Sequence, residues 1–152
     1  MGSTTEDEHE ALWGIVAGAR EGVLATIGGD GLPHLSNVYY VPDAGPADKR
    51  RVIRVSTTVT RAKGRNLLRD CRAVLHVPGP DFFNFAVVEG AVSLRPATVA
   101  GEAAIDELYA VNTVFNGPAE RPAFDHRMIR DGRMIVQIEV TKLYGLIHRR
   151  RS

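Results

Sequence analysis

The residues best suited to chemistry form one run, Arg51 to Arg72, which reads RVIRVSTTVTRAKGRNLLRDCR. It opens as a strand, with Ile53, Val55 and Thr57 on one face and Val52, Arg54 and Ser56 on the other. The strand ends in hydroxyls: Ser56, Thr57, Thr58 and Thr60. Such side chains accept from free N–H groups where helices begin, so a helix start is expected near Thr60. Its first turn would carry Arg61, Lys63 and Arg65. Cations there oppose the helix macrodipole, and stability alone would favour Asp or Glu. Cations, free N–H groups and hydroxyls together form an anion site, for which phosphate is the usual guest. The plainer alternative is a solvated basic helix face. No Gly-x-x-x-x-Gly-Lys-Ser/Thr loop and no Gly-x-Gly-x-x-Gly turn after a strand is present, so the grip is neither a P-loop nor a Rossmann turn.

Composition narrows the function classes. A chain of 152 residues, 44% hydrophobic and 24% charged, has the make-up of one globular domain with a full core. A net charge of +1 is too low for a general nucleic-acid binder. The basic segment also lacks the interleaved aromatics of single-strand binders. The one cysteine, Cys71, forms no internal disulfide, fits a reducing compartment and cannot build a thiolate metal site alone. His9, His34, His76, His126 and His148 lack zinc-helix spacing. No apolar run reaches membrane-span length and the acidic N-terminus is unlike a signal peptide. A cytoplasmic protein with neither a membrane nor a nucleic-acid partner is expected.

The elements that must position the basic run follow from periodicity. A first helix is expected over residues 6–19, with Thr5 and Glu8 at capping-box spacing. Gly22–Ile27 reads as a strand, and Gly28-Gly29-Asp30-Gly31 as a hairpin turn. The return strand runs from Pro33 to Val41, with Leu35, Asn37, Tyr39 and Val41 on one face. Residues 42–49 read as a loop. After the basic run come strands over 72–77 and 83–95, the second interrupted at Gly90 by a bulge or close backbone approach. Helices are expected over 98–116 and 124–130, and a last strand over 134–141. The fold class is mainly β with peripheral helices, a six-stranded antiparallel barrel. One domain spans 1–152, with a frayed basic tail over 148–152.

Four segments in order then carry a resemblance: Gly22-Val23-Leu24-Ala25-Thr26; Gly31-x-Pro33-x-x-Ser36-Asn37; Arg61-x-Lys63-x-x-Asn66-Leu67-x-x-Asp70-x-Arg72; and Val88-Glu89-Gly90. The chain resembles the split β-barrel family of flavin- and deazaflavin-binding proteins that includes pyridoxamine 5′-phosphate oxidase. Within it, the likeness is to the actinobacterial branch that uses coenzyme F420, a deazaflavin. The Arg-x-Lys-x-x-Asn-Leu block is the most specific piece. Cys71 departs from the pattern, which more often has Pro there.

The resemblance implies a homodimer with two cofactor sites in grooves between subunits. It implies that Ser56, Arg61 and Lys63 hold the cofactor phosphate, with Thr57 and Ala62 beside them. Pro33, Ser36 and Asn37 would border the ring system. Asn66 would support the loop or donate to the cofactor, and Phe83 would reach the ring or tail from the other subunit, unless it simply packs in the core. Tyr144 sits at a frequent contact position near the chain end. The implied activity is hydride transfer from reduced F420 to an unsaturated or conjugated organic acceptor, with no catalytic triad and no metal. An FMN-dependent oxidoreductase and a flavin or deazaflavin carrier without turnover remain the alternatives, because both cofactors present a phosphate on a ribityl chain. Arg54, Arg65 and Arg69 are the spare cations that would suit the acidic oligoglutamate tail of F420.

Overall fold

The computed structural model describes residues 2–44 and 50–148. In chain order they form α1 (Gly2–Gly18), β1 (Glu21–Ile27), β2 (Pro33–Tyr39), β3 (Val41–Asp43), β4 (Val52–Thr58) and α2 (Ala62–Arg69). There follow β5 (Ala73–Pro78), β6 (Phe85–Pro96), α3 (Ala103–Asn116), α4 (Arg121–Arg130) and β7 (Arg133–Leu146). Of the tail expected over 148–152, residues 149–152 lie outside the described residues. His148 is held, its N–H donating to Asn84 Oδ1 at 2.6 Å.

The strands make one antiparallel sheet in the order β2-β1-β5-β6-β7-β4-β3. This corrects the six-stranded barrel in two respects. The strand expected over 33–41 is two strands. Tyr40 still donates its N–H to Arg20 on the β1 side, at 2.9 Å, but Val41 already pairs with Arg54 of β4. The chain changes partner at Tyr40, and a short seventh strand results. Pro42, which cannot donate to a ladder, is tolerated because β3 is an edge. The ring of ladders is also open: among the described residues no ladder joins β2 to β3. These two edges are nevertheless separated by one residue of chain, so the sheet must curl until they meet.

Local chemistry fixes the turns. Leu32 O accepts from the Gly28 N–H at 2.8 Å, and Gly31 has a φ of 84°, where a side chain would be strained. The interruption expected at Gly90 is a β-bulge: the β6–β7 register shifts between Glu89 and Gly90. A Cβ on Gly90 would lie 1.8 Å from the Glu139 carbonyl oxygen, so the strands approach as closely as glycine permits.

Alternation along the strands divides the apolar residues into two bodies. Inside the curl, Leu24, Ile53, Val55, Leu75, Val88, Val136 and Ile138 pack with Leu12, Trp13 and Val16 of α1. On the outer face, Ile105, Leu108 and Val111 of α3 and Phe124 and Met128 of α4 pack against Ile135 of β7. Burying each such side chain contributes about 1.5–3 kcal/mol. Strand β7 thus serves both bodies, and holds the helical pair against the sheet beside β4.

Candidate functional site

The first wall of the site is the end of β4 and the start of α2. Ile53, Val55 and Thr57 are buried on the inner face as the alternation predicts. The helix begins at Ala62 rather than near Thr60, with Arg61 in the cap position and no side-chain cap. The hydroxyls instead close the preceding turn. Thr58 Oγ1 accepts from the Arg61 N–H at 3.2 Å and lies 3.1 Å from Thr60 Oγ1. The first N–H groups of α2 therefore have no capping side chain, and no acidic residue occupies its first turn. Gly64 sets how closely this turn approaches β4: a Cβ there would lie 2.0 Å from the Thr58 carbonyl oxygen.

A cleft of about 650 Å³ opens over this corner. Asn37 and Tyr39 of β2, Ser56 and Thr57 of β4, and Arg61 and Lys63 line it together. The opposite wall is helical. Asn112 and Phe115 come from α3, and Arg127, Asp131 and Arg133 from the end of α4 and the start of β7. Phe115 packs on Tyr39 with ring centroids 5.2 Å apart. A second cavity of about 330 Å³ shares Asn37, Val38 and Tyr39 and adds Glu21, Gly22, Val23 and Pro78.

The electrostatics are those of an anion site. Among the described residues, the side chains of Arg61, Lys63 and Arg133 have no ion-pair or hydrogen-bond partner. Partial burial lowers the Lys63 pKa below 10.5, and the charges of Arg61 and Arg133 lower it further. Arg133 is likewise lowered, first by burial and then by Arg61. Thr57, 1% exposed, has a hydroxyl with no partner. Cations crowded together, beside uncapped N–H groups and an orphan hydroxyl, are arranged for a guest of opposite charge.

The other expected site residues lie elsewhere. Asn66 is buried and occupied: its Nδ2 donates to Thr26 Oγ1 at 3.1 Å and its Oδ1 accepts from Arg69 at 2.8 Å. It pins α2 to β1. Ser36 falls on the opposite face of β2 from Asn37, alongside buried Val38, and its hydroxyl is buried without a partner. Pro33 starts β2 opposite Ile27, away from the cleft. Ala62 supplies the first backbone turn of α2 rather than a lining side chain.

Phe83 lies in the turn before β6, which begins only at Phe85. It is 58% exposed, so core packing is not its role. Its ring lies 5.3 Å from Phe82 and 5.7 Å from His148. The cations expected to be spare are also engaged. Arg54 donates to Asp43 at 3.2 Å, Arg65 to the Thr60 carbonyl, and Arg69 to Asn66. Arg127 and Arg133, which spacing did not select, are the cations that join Arg61 and Lys63 in the cleft.

The fold has known counterparts. The model of the pyridoxamine 5′-phosphate oxidase family matches residues 6–145. Among solved structures, the chain is similar to a conserved hypothetical protein, Rv2991, from Mycobacterium tuberculosis. That similarity has a TM-score of 0.64 and 27% identity, over 93% of this chain and 85% of the other. An F420 reductase is similar at a TM-score of 0.59 and 24% identity, over 82% of this chain and 88% of that one. A heme binding protein from Mycobacterium smegmatis is similar at a TM-score of 0.56 and 22% identity, over 90% of this chain but 52% of its own.

Proposed function

The chain belongs to the pyridoxamine 5′-phosphate oxidase family, and from that premise we propose that it is an F420-dependent oxidoreductase. One observation carries the reading: a cleft whose unpaired cations, Arg61 and Lys63, stand at the uncapped start of α2. These groups fit a phosphate. The orphan hydroxyl of Thr57 and the hydroxyl of Ser56 would donate to its remaining oxygens. Reduced deazaflavin supplies a hydride when bound; the chain's part is position and exclusion of water. Asn37 and Tyr39 border both cavities and would locate the ring where the two spaces meet. The similarity to an F420 reductase supports deazaflavin over FMN. Arg127, nearer the open helical wall, would meet the acidic tail in place of Arg54, Arg65 and Arg69.

The protein acts, on this reading, as a homodimer. Leu35 and Tyr39 on β2, and Phe82 and Phe83 in the β5–β6 turn, are between 58% and 91% exposed. Apolar groups at that exposure are suited to a second copy, and Phe83 would then approach the neighbouring groove. Light scattering that gives 16.6 kDa, the mass of one chain, at micromolar concentration would remove this part of the proposal.

The deciding experiment is a spectroscopic titration of purified protein with F420 and with FMN, followed by an assay against conjugated acceptors. F420 should bind more tightly. Removing its glutamate tail should weaken binding at low salt and matter less at high salt, where exposed charges are screened. A protein that holds FMN through purification would instead be an FMN-dependent oxidoreductase. Tight F420 binding without turnover of any acceptor would make it a carrier. The family fold alone does not choose among these.

A further inference from the structure

We infer that Arg133 is an anion-binding residue of the cleft, so that the phosphate grip is built from two distant parts of the chain rather than from the Arg61–Lys63 segment alone. The inference rests on the proposed reading of the cleft as a phosphate-bearing cofactor site, and adds a residue to it. Arg133 opens β7 directly opposite Thr58, the last residue of β4. Cross-strand partners share a face of the sheet. Arg133 therefore lies on the same face as Ser56, which pairs with Ile135 two residues on. That face carries the helical pair and borders the cleft.

A structural role for this guanidinium finds no support. It makes no ion pair or hydrogen bond among the described residues. Nearby arginines that hold the fold are all engaged: Arg121 with Asp106 and Asp125, and Arg130 with Asp131. Asp131 is thus partly neutralised by Arg130 at 3.0 Å. Around Arg133, Arg61 and Arg127 add positive charge and Asp131 offsets part of it. A partly buried, unpaired guanidinium facing other cations raises the free energy of the empty protein, and an anion between them reverses that. The ligand chemistry is a phosphate monoester or diester. The guanidinium's planar set of donors suits two phosphate oxygens at once.

The test compares ligands that differ only by phosphate. Dissociation constants are measured for FMN and for riboflavin in native protein and in Arg133→Gln. The ratio within this pair isolates the phosphate. Arg133→Gln should reduce that ratio about tenfold while leaving riboflavin affinity within twofold. A merely structural role would weaken both members of the pair alike. A ratio unchanged within twofold overturns the inference.

A second arm does not depend on either cofactor. At low ionic strength, millimolar inorganic phosphate should raise the Tm of native protein above that in chloride of equal ionic strength, and Arg133→Gln should lose this rise. If F420 and FMN both fail to bind but this arm succeeds, the cofactor proposal falls and the anion site stands. If phosphate gives no rise in native protein, the anion site falls. Should the Gln variant not fold, Arg133→Lys keeps the charge without the planar donors, and its phosphate ratio should lie between native and tenfold reduced. A native ratio in that variant overturns the role of the guanidinium.

Discussion

Arg121 and Arg133 bracket α4 in sequence and live in opposite circumstances. Arg121 donates to Asp106 at 2.8 Å and Asp125 at 3.1 Å, with its guanidinium 4.7 Å from the Tyr109 ring centroid. It ties α3 to α4, with a carboxylate from each helix on its guanidinium. Arg133, with Arg61 and Lys63, makes no ion pair or hydrogen bond among the described residues, and Asp131, the carboxylate in their cleft, is bonded to Arg130 instead. A cation that serves the fold comes with its carboxylate, because an unpaired charge taken from water is costly. Cations left without one mark a place where the counter-charge arrives from outside. The contrast separates the scaffold from the site without reference to any relative.

The strongest way to break this contrast leaves every charge in place. Gly64→Ala puts a methyl group against the Thr58 carbonyl, which cannot yield without moving β4. Urea unfolding should show a loss of about 3 kcal/mol, at the upper end for overpacking, and phosphate affinity should fall with it because Lys63 is displaced. Native stability in this variant would mean that α2 is not held to β4 by close approach.

Next in size is the paired corner. Asp125 is buried and also accepts from the Gly101 N–H at 3.1 Å. Asp125→Ala should cost about 2 kcal/mol in the same measurement, since a charge-assisted bond is lost and a backbone donor orphaned. Phosphate affinity, read by titration, should not change. Loss of affinity at unchanged stability would erase the distinction between the two corners.

The unpaired corner should respond in the reverse sense. Lys63→Ala should raise the dissociation constant for FMN or F420 about tenfold, equivalent to about 1.4 kcal/mol, without lowering stability. Denaturant and titration curves on one preparation test both halves. Affinity unchanged at low salt would remove Lys63 from the phosphate site.

The smallest effect is one of pH. The Lys63 amine titrates below the ordinary 10.5, chiefly because it is partly buried and then because Arg61 and Arg133 lie near. Its folded value is therefore below its unfolded one. Between the two the unfolded chain binds more protons, so the free protein gains stability as pH rises through the window just under 10.5. Phosphate affinity should decline over the same window, as the amine loses its charge. In Lys63→Arg that decline should disappear below pH 10.5. An unaltered decline would assign it to another group.

Much of this was legible in the chain itself, and what was not has a physical reason. The alternation in β4, the hairpin at Gly28–Gly31 and the interruption at Gly90 each depend on neighbouring residues, and each has its counterpart in the structure. The Arg61–Lys63 pair was also local, and it reaches the cleft. Asn66 looked like a ligand because it shares the same short motif, yet its partners lie on β1 and α2. The split between β2 and β3 was hidden because Tyr40 and Val41 continue the apolar alternation; only the change of partner at Tyr40 divides them. Arg133 carried a weak signal, a cation just before the alternating run that starts at Met134. Nothing local told that its strand would pair with β4. That information resides in the long-range ladder.

The ladder between β4 and β7 has a temporal consequence. One cleft wall is made by residues up to Lys63, the other by residues as late as Arg133, and Thr58 meets Arg133 only when β7 has paired. During synthesis, the early strands, Arg61 and Lys63 emerge well before the rest of the cleft. Such distant pairing is slow because the intervening chain must first be closed into a loop. A nascent or truncated chain thus carries two of the site's cations but no cleft. Ligand that requires both walls will stabilise the finished fold selectively, so its supply during expression should bear on the yield of native protein.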